Sequence, residues 1–354
     1  MTTIDEKPAT TGAPAVPLTA PRLPTWAPHA VAGISLGLAL LARLAATGWI
    51  GAVFIGVVTF VIALPLWSAV VEGRRGAVDR FVTALVWTSF AIAMIPLVWL
   101  LFTVVDRGGS TINAEFLTFD MRNVIGDTQG GIYHALIGTL LVTLVAAIIS
   151  VPIGLFTAIY VVEYGKKNRL SQIVTFLVDV MTGIPSIVAG LFALSLFVLL
   201  VDPAYRSGFA GSVALSLLMI PTVVRSTEEM LRLVPEDLRE ASYALGVPKW
   251  RTIYKVVLPT AFGGIVTGVV LAVSRVIGET APLLVVAGTF DSVNTNPFDG
   301  RMQTLPVFIF QQYSLATDKG RAYAWGGALV LIALVMGLNL IARIIGKVFA
   351  PAKG

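Results

Sequence analysis

The sequence has 354 residues, 56% hydrophobic and 13% charged, with a mean hydropathy of +0.86 and a formal net charge of +5. Soluble domains carry roughly a quarter charged residues, so this balance excludes an ordinary soluble fold and points to an all-α polytopic membrane protein whose main partner is the lipid bilayer. The absence of cysteine excludes disulfides and thiolate metal sites. The basic residues lie between apolar runs and form no single face, so nothing points to nucleic acid.

Residues 1–28 carry Pro8, Pro14, Pro17, Pro21, Pro24 and Pro28 and few large apolar residues, which predicts a disordered tail. Asp5 and Glu6 precede any basic cluster, unlike a signal peptide. Apolar runs long enough for a ~30 Å hydrocarbon layer follow near 29–46, 49–71, 81–105, 132–162, 171–201, 209–225, 260–290 and 322–347. The first two predict a hairpin over 29–75. Two runs are overlong and interrupted, one by Pro152 and the other by Gly183-Ile184-Pro185, where a kink or gate is expected. His29 and His134 stand isolated at run edges, which favours an interface role over a metal site.

A polar segment, 226–259, separates two of these runs. Pro235, Glu236 and Asp237 predict a helix start, and Leu238, Ala241 and Leu245 share one helix face. Gly246 suits a C-cap and Pro248 bars continuation. A second helix is expected from Lys249, with Trp250, Ile253 and Val257 on one side, ending before Pro259. With the N-terminus inside and eight spans, the inner segments hold most of the Lys and Arg, including Arg74, Arg75, Arg80, Lys249, Arg251 and Lys255. The outer segments hold only Arg107, Arg122, Arg206, Arg301, Lys319 and Arg321. The polar segment and both termini are thereby placed in the cytoplasm.

Ionisable residues within spans are costly and normally face a bundle interior or a wet pathway. Arg275 and Glu279 stand at i, i+4, about 24 Å beyond Pro259 for Arg275, and are expected to reach each other. They line an oxyanion pathway or form a salt bridge that locks helices; Pro282 then interrupts the helix as a further kink. Asp179 pairs with an arginine or caps the Gly183–Pro185 kink. Arg225, at the end of a span, is a pathway residue or a positive-inside anchor, and Arg43 snorkels at a peripheral helix.

The stretch EASYALGVPKWRTIYKVVLP resembles the EAA loop of ABC importer permeases. Its matching positions are Glu240, Ala241, Ser242, Gly246, Val256, Leu258 and Pro259, with Ser242 replacing the usual second alanine. Together with DVMTGIPSIVAGL and SRVIGETAPLL, it resembles the PstA-type subunit of the phosphate-specific ABC importer over about 81–347. The resemblance implies a type I importer permease core of six spans (MetI-like, residues 76–350) in a bacterial inner membrane, to which the N-terminal hairpin is an addition. It implies a heterodimer with a PstC-type permease, two PstB-type ATP-binding subunits and an external phosphate-binding protein. Glu240, Ala241, Ser242, Leu245, Gly246, Pro248, Leu258 and Pro259 would couple to the ATPase. Arg225, Arg275 and Glu279, with Asp179 and Thr280 beside them, would line the pathway.

No G-x-x-x-x-G-K-[ST] occurs, so ATP hydrolysis is expected from a partner and no cofactor is expected here. Sulfate, molybdate and phosphonate present the same chemistry to an arginine as phosphate does. A proton-coupled secondary transporter working through Glu279 or Asp179 is the reading from another class. A membrane-embedded enzyme would need a nucleophile–base or metal constellation, which two isolated histidines and no cysteine do not supply.

Overall fold

The computed structural model describes residues 22–45, 48–124, 128–165 and 168–348. The tail expected over residues 1–28 lies outside them as far as residue 21. Among the described residues all regular elements are helical, and seven helices are long and apolar enough to span a membrane, or eight if one sharply bent pair counts as a single span. The chain divides into two compact units, 1–101 and 102–354, a boundary that falls inside a helix.

The first unit contains α1 (Ala27–Leu44), α2 (Trp49–Val71) and the first part of α3 (Gly73–Gly109). Val31, Leu64 and Ala84 form its small core. Residues 22–28, expected to continue the tail, are instead tied down. The Leu23 amide donates to Glu72 Oε1 at 2.8 Å, and Trp26 meets Trp67 edge-on at 5.8 Å. Arg43, expected without a partner, has its guanidinium 5.0 Å from the centre of the Trp49 ring.

In the second unit, α4 (Ala114–Thr118) precedes α5 (Tyr133–Ile159), which continues as a π-helical turn, Tyr160–Tyr164. α6 (Arg169–Thr182) and α7 (Ser186–Leu200) follow, then α8 (Gly208–Arg232). α8 is the axis of the unit. Of its apolar stretch 67% is buried within the chain, against at most 33% for any other span-length helix. Its Leu215, Leu218, Met219 and Val223 pack with Val142 and Ala146 of α5 and Ala189 of α7. Ser212 Oγ and Ser216 Oγ reach across to the α5 carbonyls of Val142 and Ala146 at 3.0 and 3.5 Å. Small hydroxyl residues are the usual means of close helix approach where water supplies no hydrophobic force.

The chain then forms α9 (Glu236–Ala244), α10 (Lys249–Thr252), a π turn Ile253–Val257 and α11 (Leu258–Val276). It ends with α12 (Ala281–Val286), α13 (Leu305–Ser314) and α14 (Asp318–Val348).

Several expectations are corrected. α5 runs unbroken through Pro152, and its irregularity is the π turn at its end. The run over 171–201 is two helices bent by 109° at Gly183–Pro185, far more than a kink. α8 extends to Arg232, so Arg225 lies two turns inside it. The helical path that begins at Lys249 does not stop before Pro259: it passes through the π turn into α11, with the proline in the first turn of α11. The run over 260–290 ends as a long helix at Val276, because Pro282 cannot donate to, and clashes with, the carbonyl of Gly278. His134 is buried to 2% exposure, edge-on to Phe308, and not at a wet interface.

Candidate functional site

The hairpin α9–α10 is built as its sequence suggests. Glu236 and Asp237 occupy the first turn of α9, and Gly246, at φ +74°, ends it in a conformation that a side chain would strain. The two arms are fastened inside by a 2.8 Å hydrogen bond between the buried hydroxyls of Ser242 and Thr252. The serine that departs from the usual alanine therefore has a partner ten residues on.

The apolar face of α9 points outward. Leu238 is 42% and Leu245 83% exposed, with Glu240, Ala241, Gly246, Pro248 and Trp250 also at the surface. The buried side chains of α9 are Arg239 and Ser242. A soluble helix would reverse this, so α9 presents an apolar face that the rest of this chain leaves uncovered. Beyond the hairpin, Ile253 and Val257 turn inward, Leu258 is half-buried, and Pro259 is exposed. Lys249 to Val276 is one continuous helical path, so the hairpin is joined without a flexible break to the helix bearing Arg275.

The charged side chains gather on α8. Arg225 donates to Asp179 of α6 and, at 3.1 Å, to Glu228 one turn on; Arg232 approaches the same Glu228 oxygen at 3.8 Å. The other oxygen, Oε1 of Glu228, is buried without a hydrogen-bond partner among the described residues. Arg275 Nη1 donates to Thr222 Oγ1, also on α8, at 3.4 Å. Arg275 and Glu279 are not an ion pair: α11 stops at Val276, so Glu279 lies past the helix end and the one-turn relationship fails. Glu279 and Thr280 are half-buried in the turn before α12.

The proline–glycine positions differ in use. Gly183 and Pro185 form the 109° bend, and Pro152 is exposed within α5. Pro282 packs on Gly190 of α7, where an added Cβ would lie 2.6 Å from the proline Cα. Glu228 and Arg232 lie beyond the apolar run 209–225, and Thr222 lies within it with no local signal to single it out. The i, i+3, i+7 spacing of Arg225, Glu228 and Arg232 was the available signal.

Residues 150–353 match the family described as binding-protein-dependent transport system inner membrane component. The phosphate transport system permease protein PstA 1 of Mycobacterium tuberculosis (strain CDC 1551 / Oshkosh) is 48% identical over 274 residues, covering 77% of this chain and 90% of that protein. PstA of Yersinia pestis is 38% identical over 277 residues, 77% of this chain and 92% of that protein. This chain belongs to the PstA family of permeases. A chain of the inward-facing MetNI methionine ABC transporter shares its fold at a TM-score of 0.51 and 20% identity, over 62% of this chain and 95% of that one. As a PstA-family member the chain is a multi-pass transport component of the ABC importer class, which works with an ATPase and a binding protein.

Proposed function

We propose that this chain is the PstA half of an ATP-driven phosphate importer in a bacterial inner membrane, with both termini in the cytoplasm. It pairs with a PstC-type permease, and together they bind two PstB-type ATPase subunits and receive phosphate from an external binding protein. The observation that carries this is 48% identity to a phosphate transport permease across 90% of that protein's length. The outward-facing apolar hairpin at the EAA-like motif supports the motor assignment.

In this reading the chain hydrolyses nothing. ATP closes the two partner ATPases, which push on Glu240, Ala241, Leu245, Gly246 and Pro248. Ser242 keeps the arms rigid, and Leu258 and Pro259 pass the movement into α11. Arg275 and Arg225 meet the phosphate oxygens through forked, always-charged donors. Thr280 and Glu279 border the route, Asp179 competes with phosphate for Arg225, and the Gly183–Pro185 bend and Pro282 form the gate region. The N-terminal hairpin of α1 and α2, expected over residues 29–75, is an addition that contacts lipid or the partner permease.

The test is Glu240→Lys in the assembled importer, alongside deletion of 243–247. ATPase subunits should no longer co-purify, or hydrolysis should proceed without uptake. Normal uptake in either variant would contradict the assignment.

A further inference from the structure

Arg239 immediately precedes the exposed Glu240, yet its side chain runs the opposite way, into the body of the protein, where it is 7% exposed. Its Nε and Nη2 donate to Oε1 of Glu163 at 3.2 and 2.8 Å. Nη2 also reaches the Leu231 carbonyl at 2.9 Å, while Nη1 reaches the Val234 carbonyl at 2.6 Å and Glu236 at 3.2 Å. Five contacts account for the five N–H donors of a guanidinium. Glu163, at 4% exposure, belongs to the π turn that ends α5, 76 positions away in sequence. Leu231 lies in the last turn of α8, where carbonyls lack intrahelical partners, so one side chain joins α9, the end of α8 and the end of α5.

The second arm reaches the same turn independently: Lys249 Nζ of α10 lies 4.9 Å from the centre of the Tyr164 ring. The ion pair borders a cleft of about 740 Å³ whose wall also includes Asp179, the carboxylate that holds Arg225. Replacing a buried pair with apolar side chains is often neutral or stabilising, so this one is weak as a device for stability alone. π turns, for their part, concentrate at functional sites.

We propose that Glu163 and Arg239 form the joint through which force on the hairpin reaches α5, so that the hairpin, the end of α8 and α5 move as one body during transport. They are positioning residues and touch neither phosphate nor ATP. The inference rests on the importer reading above and deepens it, naming a second route for the stroke beside the covalent path into α11.

The test uses the complete importer in proteoliposomes, with companion permease, ATPase and binding protein, reading ATP hydrolysis and phosphate uptake from one sample. In Glu163→Gln and Arg239→Gln the ATPase should remain bound and active, while phosphate carried per ATP falls roughly tenfold. Glu163→Asp, which keeps the charge on a shorter side chain, should lose only about threefold. If the glutamine variants do not accumulate, Glu163→Asp and Arg239→Lys carry the same test with an expected loss of about threefold. An unchanged ratio, with uptake and hydrolysis either intact or falling in step, overturns the joint. An unaltered chain that recruits no ATPase overturns the importer reading beneath it, and the joint with it.

Discussion

Arg275 of α11 spends its one side-chain hydrogen bond on the neutral hydroxyl of Thr222, at a long 3.4 Å, and faces no carboxylate within ion-pair distance among the described residues. Its charge is thus uncompensated inside this chain, in a helix otherwise apolar. In the proposed importer, an anion in transit would offset the cost of such a cation.

Arg275→Gln should therefore abolish phosphate uptake while the chain still assembles. Loss of a charge-assisted contact worth about 1.5–3 kcal/mol predicts a fall of at least roughly tenfold in uptake. Labelled-phosphate uptake and co-purification of the importer check this; loss of assembly instead would assign Arg275 to structure.

Asp179 is 58% exposed, and its arginine partner 34%, so the pair contributes little to stability, about 1 kcal/mol or less. Asp179→Asn should leave the melting temperature of the purified protein nearly unchanged. If, as proposed, Asp179 competes with phosphate for Arg225, its loss should slow release and lower maximal uptake several-fold. Unaltered uptake would remove Asp179 from the pathway.

The Ser242–Thr252 bond predicts a non-additive pair. Ser242→Ala leaves the buried Thr252 hydroxyl only its long 3.5 Å bond to the Pro248 carbonyl and should cost about 1–2 kcal/mol, whereas removing both partners is nearly neutral. Ser242→Ala with Thr252→Val should accordingly be more stable than Ser242→Ala alone in thermal unfolding. Additive losses would mean that the 2.8 Å contact does not hold the arms together.

Glu72, in the connection between α2 and α3, has its carboxyl held down to about 2 from 4.5, first by Arg80, then by Ser68 at 2.5 Å and the Leu23 amide. A depressed carboxyl stabilises the fold above its unfolded value and loses that contribution as pH falls through its folded one. Between about pH 4.5 and 2, the fluorescence of Trp26 and Trp67 should report release of the segment around Leu23. Glu72→Gln should remove that acid transition; its persistence would place the titrating group elsewhere.

The spans, the hairpin and the Gly183–Pro185 break were legible because each has a local signal: apolar length, cap chemistry, or a glycine–proline pair. Pro259 and Pro152 misled the reading. A proline in the first turn of a helix, or inside one supported by neighbours, need not end it. Arg275 and Glu279 looked like an i, i+4 pair only on the assumption that α11 continues, which Pro282 prevents. The Glu163–Arg239 contact had no local signal at all, since its partners are distant in sequence and each reads alone as a charge at a span edge. Ser242 was legible only as a departure from a pattern. What it does depends on Thr252, brought beside it by the turn at Gly246.

The central claim is that phosphate crosses only when a separate motor moves this chain. Labelled-phosphate uptake into proteoliposomes tests it directly, comparing the chain alone under an imposed ion gradient with the full importer and ATP. Uptake should require the ATPase, ATP, the companion permease and the binding protein together. Phosphate accumulation by the chain alone, driven by the gradient, would contradict the account.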